Sequence, residues 1–134
     1  MSNKIKVVPC SGMGKVFGLV AREAALKVVN ELCPYAAETV CLAYIVTGDR
    51  EITEEMNGAP CIAIDGCPKL CAAKNIEMAG GVVKDEFRTV DIFKEYKGAK
   101  PGTATALTEE GWKMVDDLAE RVVSAVRELV EEDI

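Results

Sequence analysis

The segment KIKVVP, Lys4 to Pro9, is rich in β-branched residues and reads as a strand. At Cys10 it gives way to the turn-forming run CSGMG, after which VFGLVAREAALKVVNEL repeats its apolar positions at helical spacing. Pro34 follows that helix. TVCLAYIV, Thr39 to Val46, is a continuous apolar run, the pattern of a strand buried on both faces of a parallel sheet. A charged helix over DREITEEMNG comes next, then the apolar strand CIAI, the turn Asp65-Gly66-Cys67-Pro68, and a helix reading KLCAAKNIEMA that stops at Gly80-Gly81. VVKDEFRTVDIF holds one more strand, and KEYKGAKPGTATA is loop. LTEEGWKMVDDLAERVVSAVRELVEE is a long amphipathic helix capped by Thr108, with Trp112 as core filling.

Strands alternating with helices predict an α/β fold: a three-layer sandwich around a mostly parallel, doubly wound sheet of about four strands with right-handed crossovers. The chain of 134 residues suits one such domain, residues 1–134, and is too short for two. In sheets of this kind, sites form beyond the carboxyl ends of the strands, where the strand order reverses. Three loops qualify: Cys10 to Lys15, Thr47 to Arg50, and Asp65 to Cys71.

Composition narrows the chemistry. A formal charge of −6, with the basic residues interleaved among acids, argues against a surface that tracks nucleic-acid phosphates. No run approaches the ~20 apolar residues that span a bilayer, and MSNKIKVV lacks the apolar stretch of a secretory signal, so a cytoplasmic protein away from the membrane is expected. In the cytosol the six cysteines are thiols rather than disulfides. The chain has no histidine, which removes Ser-His and Cys-His catalysis and every imidazole ligand; a metal must be held by thiolate and carboxylate.

Spacing separates the cysteines into two groups. With a strand running to Thr47 and a rise of ~3.3 Å per residue, Cys41 falls roughly 20 Å short of the carboxyl edge. Cys61 opens its strand, and Cys33 ends a helix that runs back to the opposite edge; both read as small buried hydrophobes. Cys10, Cys67 and Cys71 all lie at carboxyl ends of strands that a doubly wound order places side by side. Pro68 suits a first helical position, which makes Cys67 the cap and puts Cys71 four residues on, over the same face. The helix start would lower the pKa of Cys67. Two cysteines four apart on a helix make an awkward disulfide, whereas a metal with bonds of ~2.3 Å to sulfur accepts them. The alternative is three small residues that merely happen to sit at turns.

Other motifs fall away. CSGMGK resembles a phosphate cradle, but Pro9 and Val16 stand where a P-loop needs glycine and Ser or Thr, and no arginine lies six residues after Cys10. Asp65 can orient a ligand or serve only as a turn residue. Lys15 and Lys69 can offset thiolate charge, or need no role at all.

The blocks PCSGMGKVFG, CLAYIVTGD and DGCPKLCAAKN, in that order, resemble the DGC-domain family, named for its Asp-Gly-Cys motif, over roughly Val8 to Gly81. The family is regarded as zinc-binding because of recurrent cysteines. The resemblance implies Cys10, Cys67 and Cys71 as ligands of Zn²⁺, with Asp65 and Gly66 behind them. Many members carry Cys-Ser-Gly-Cys in the first block where this chain has Met13, a possible loop contributor. Cys41 matches a cysteine of the family's second strand. Three thiolates then leave a fourth position for water, Asp65 or substrate. Their net negative charge with zinc suits metal or sulfur handling better than activation of water. The implied partners are a small thiol or a protein that donates or accepts metal. The competing reading is a metal-free thiol redox enzyme in which Cys67 attacks and Cys71 or Cys10 resolves.

Overall fold

A computed structural model describes residues 4–9, 16–40, 45, 50–65, 71–103 and 105–132, leaving aside the side chains of residues 52 and 71. The strands are β1 Ile5–Pro9, β2 Ala37–Thr39, β3 Pro60–Asp65 and β4 Val82–Arg88. The helices are α1 Val16–Lys27, α2 Arg50–Met56, α3 Cys71–Met78, α4 Thr89–Glu95 and α5 Glu109–Glu132; α1 continues as a π-helix over Val28–Leu32.

All strand pairs are parallel, in the order β2-β1-β3-β4, which is the doubly wound α/β arrangement expected. The chain moves outward from β1 on one side to β2 and on the other to β3 and β4. The order therefore reverses between β1 and β3.

Alternation along the strands feeds two cores. Ile5, Val7, Ile62 and Ile64 face α1 and α5, which meet them with Val20, Ala21, Ala24, Leu118 and Val122. Val8, Cys61 and Ala63 face the other way, against Met56 of α2 and Ala72, Ala73 and Ile76 of α3. In α5 the buried positions Met114, Val115, Leu118, Ala119, Val122, Val123 and Val126 recur at three- and four-residue intervals, so one stripe of the helix covers the sheet. Phe17 and Phe93, with ring centroids 4.5 Å apart, tie α4 to the start of α1.

The caps follow local chemistry. The Gly111 amide donates to Thr108 Oγ1 at 3.2 Å, so Thr108 caps α5 as expected. At the end of α3, Gly80 has φ +92°, the Gly81 amide reaches the Ile76 carbonyl at 2.9 Å and the Gly80 amide the Glu77 carbonyl at 3.0 Å. This paired closure needs a left-handed residue, which glycine supplies without steric cost.

Three expectations change. The apolar run after Thr39 does not continue β2: the strand ends at Thr39, and Ile45 has helical backbone. Val40 and Ile45 are both buried in the core of the α2 and α3 face, and a short apolar run has the same composition in a buried strand or a buried helix. Residues 41–44 and 46–49, including Thr47 of the second candidate loop, lie outside the described residues. The ~20 Å separation that removed Cys41 from the carboxyl edge assumed a strand to Thr47. With Val7 paired to Thr39, Cys41 instead follows the carboxyl end of β2 by two residues, although its own position is not among those described. Next, Thr89–Glu95, read as part of a strand segment and loop, is helical. Finally, Trp112 is 47% exposed rather than core filling.

Candidate functional site

Reversal of strand order between β1 and β3 gives the carboxyl edge its character. Pro9 pairs with Ile64, so the segments carrying Cys10 and the Asp65-Gly66-Cys67 motif leave neighbouring strands at the same level, with strands spaced ~4.8 Å apart. Residues 10–15 and 66–70 lie outside the described residues, and with them Cys10, Met13, Gly66 and Cys67. Cys71 is described in its backbone alone, as the first residue of α3.

Asp65 is the residue of this motif that is fully described. It ends β3 and is 1% exposed. Its carboxylate accepts from the amides of Ala72 at 2.7 Å and Ala73 at 3.4 Å, the two residues after Cys71. A helix leaves its first amides without internal partners, and Asp65 supplies an acceptor for them from the end of β3. Burial pushes the carboxyl pKa up, opposed in part by the same two amides. Both oxygens are thus engaged with α3, so Asp65 acts as a tether between the end of β3 and the first turn of α3. The cap expected from Cys67 falls outside the described residues; within them, Asp65 serves the first amides of α3.

On the β4 side, Arg88 is the register partner of Asp65, and Thr89 follows it. Thr89 is fully buried, and its hydroxyl is the buried side-chain polar atom with no hydrogen-bond partner among the described residues. Its chain neighbour Arg88 lines a cleft of about 450 Å³ together with Phe87, Asp91, Ile92 and Arg121. Arg88 pairs with Asp91 at 3.1 Å, and Arg121 with Glu95 at 2.7 Å and Asp117 at 2.9 Å, so both guanidinium groups are neutralised. Sequence reasoning missed Thr89 because its burial follows from the short helix α4, which is too brief to display a helical period.

The cysteines assigned to the core stand there. Cys33 is fully buried on the α1 and α5 side, and Cys61 fully buried on the α2 and α3 side, both as free thiols separated by the sheet. Burial raises the Cys61 thiol from an ordinary 9.0 to about 11, so it stays protonated and inert near neutral pH. Among the described residues no group of three or more acidic or cysteine side chains is placed to hold a metal, and no helix is long and apolar enough to cross a membrane.

The model of the DGC domain matches residues 6–126. The chain belongs to the DGC domain family. The match extends past the blocks recognised in the sequence through β4, α4 and most of α5. No curated protein and no solved structure matches the chain significantly.

Proposed function

We propose that this DGC domain binds zinc through Cys10, Cys67 and Cys71 at the carboxyl edge, and that it handles metal or sulfur compounds there. The observation that supports the reading most is the pairing of Pro9 with Ile64, which starts the two cysteine-bearing segments from adjacent strand ends. The donor set suits the metal: with no histidine in the chain, thiolates are the ligands at hand, and zinc accepts them in a tetrahedral shell. Asp65 supports the set from behind by holding the first turn of α3. When bound, zinc would keep the three thiols deprotonated and offer an exchangeable position to an incoming thiol or metal acceptor. Because β2 ends at Thr39, Cys41 joins Met13 as a candidate to contribute to the fourth position.

The metal-free redox reading draws less support. It depends on a helix start that stabilises the Cys67 thiolate, yet the amides of Ala72 and Ala73 are already taken by the Asp65 carboxylate. A buried carboxylate so close in the chain opposes a second anion rather than favouring it.

Elemental analysis of anaerobically purified protein tests the proposal. Wild type should carry close to one zinc per chain, Cys10→Ser, Cys67→Ser and Cys71→Ser should each lose most of it, and Cys33→Ser should keep it. Equal zinc in all five proteins would overturn the assignment.

A further inference from the structure

Trp112 is the chain's single tryptophan, and nearly half of it is exposed although it sits near the start of a helix packed on the core. It lines a cleft of about 390 Å³ between α1 and α5, beside the exposed Leu26. The polar walls are unbalanced. Glu23, Glu31 and Asp116 face one cation, Lys27, so three acids against one base leave an excess of two negative charges. Lys27 is committed to Asp116 in a close ion pair, and that hydrogen bond holds its ammonium above its ordinary pKa, with Glu31 adding to the same field. Glu23 and Glu31 make no ion pair among the described residues and remain available to an outside cation.

We infer that this cleft docks a basic segment of a partner protein, placing an arginine over the Trp112 indole and an apolar side chain against Leu26. An exposed indole flanked by carboxylates is the arrangement that favours a guanidinium, which stacks on the ring face and pairs with a carboxylate at its edge. Spacing selects a segment over a single small cation. Glu23 and Glu31 lie eight residues apart on one helical rod, about 12 Å at 1.5 Å per residue. Two charges that far apart match two arginines four residues apart on an extended chain, which spans roughly 13 Å. The site lies on the α1 and α5 face of the sheet and is independent of the cysteine chemistry proposed above.

The test titrates the intrinsic fluorescence of Trp112 with the blocked peptide Arg-Gly-Leu-Gly-Arg, at low and at physiological salt. A saturable change is expected, absent with Glu-Gly-Leu-Gly-Glu. Glu23→Gln/Glu31→Gln should weaken binding at least tenfold, whereas Glu54→Gln/Glu55→Gln, which removes the same charge from α2 on the other face, should leave the Kd within twofold. Trp112→Leu, followed by calorimetry, should weaken it at least fivefold. No saturable change with the arginine peptide, or equal weakening in the two double variants, would overturn the proposal; the latter would mean that only the net charge of the protein attracts the peptide.

Discussion

The two edges of this sheet are built from the same strands but treat polar groups differently. At the amino edge the buried side-chain polar atoms among the described residues all have partners. Lys6, 3% exposed, reaches Glu38 on the neighbouring strand at 2.5 Å, Cys61 donates to the Ala59 carbonyl at 3.3 Å, and the Cys33 carbonyl accepts from the amides of Ala36 and Ala37. At the carboxyl edge a buried carboxylate is spent on tethering a helix, and a buried hydroxyl goes unanswered among the described residues. A parallel sheet places its loops of chemical consequence at that second edge, where the strand order reverses, and leaves the first to packing. The described free thiols, Cys33 and Cys61, lie away from the carboxyl edge, so position in the sheet rather than residue type marks them as inert.

The largest effect on stability should come from cutting the tether. Asp65→Ala strands two buried amides, and leaving a buried donor unmade costs about 1–3 kcal/mol, so a loss of roughly 3 kcal/mol is expected by urea denaturation, together with weaker zinc binding. The matching cut at the amino edge, Lys6→Met, should cost only about 1 kcal/mol and leave zinc untouched, because Glu38 keeps access to water. Equal effects of the two changes on zinc would erase the distinction between the edges.

A smaller effect should appear in alkali. The Cys61 thiol has a folded-state pKa of about 11 against an ordinary 9.0, so deprotonation favours the unfolded chain. The stability linked to it is complete below pH 9 and is lost as the pH rises through about 11. A shift of that size is worth about 3 kcal/mol in full at ~1.4 kcal/mol per pKa unit, of which about 2 kcal/mol is gone by pH 10.5. Urea curves under reducing conditions at pH 8 and pH 10.5 should show a steeper decline in wild type than in Cys61→Ala. Parallel declines would mean that the amino-edge thiol is solvated.

The smallest effect concerns Thr89. Thr89→Val removes a buried hydroxyl that has no partner among the described residues while keeping its shape, and should stabilise the apo protein by up to about 1 kcal/mol. Destabilisation of that size would instead reveal a partner for the hydroxyl, and the carboxyl edge would then be as fully satisfied as the amino edge.

Much of this contrast is legible in the sequence. The β-branched run before Cys10, the CIAI strand, the Gly80-Gly81 stop and the Thr108 cap are each set by local chemistry, and each stands where the sequence places it. Such features need no distant partner to define them. The run from Thr39 to Val46 is different, because apolar residues in succession are equally at home in a buried strand or a buried helix, and only the packing of Val40 and Ile45 beneath α2 and α3 decides between them. That error carried forward, since the exclusion of Cys41 rested on it. Trp112 misled for a related reason: one aromatic on an amphipathic helix is assigned to the core by period, but at the start of α5 that stripe faces the open cleft beside Leu26. The grouping of Cys10 with Cys67 and Cys71 follows from strand adjacency, which the alternation of elements does imply, and β1 and β3 are neighbours.

The central claim is that thiolates from segments following separate strands share one metal, and X-ray absorption at the zinc edge tests it most directly. The account predicts at least three sulfur ligands at ~2.3 Å in the wild-type protein, one fewer in Cys10→Ser, and no change in Cys33→Ser. A shell of oxygen and nitrogen alone, or a sulfur count indifferent to Cys10, would contradict it.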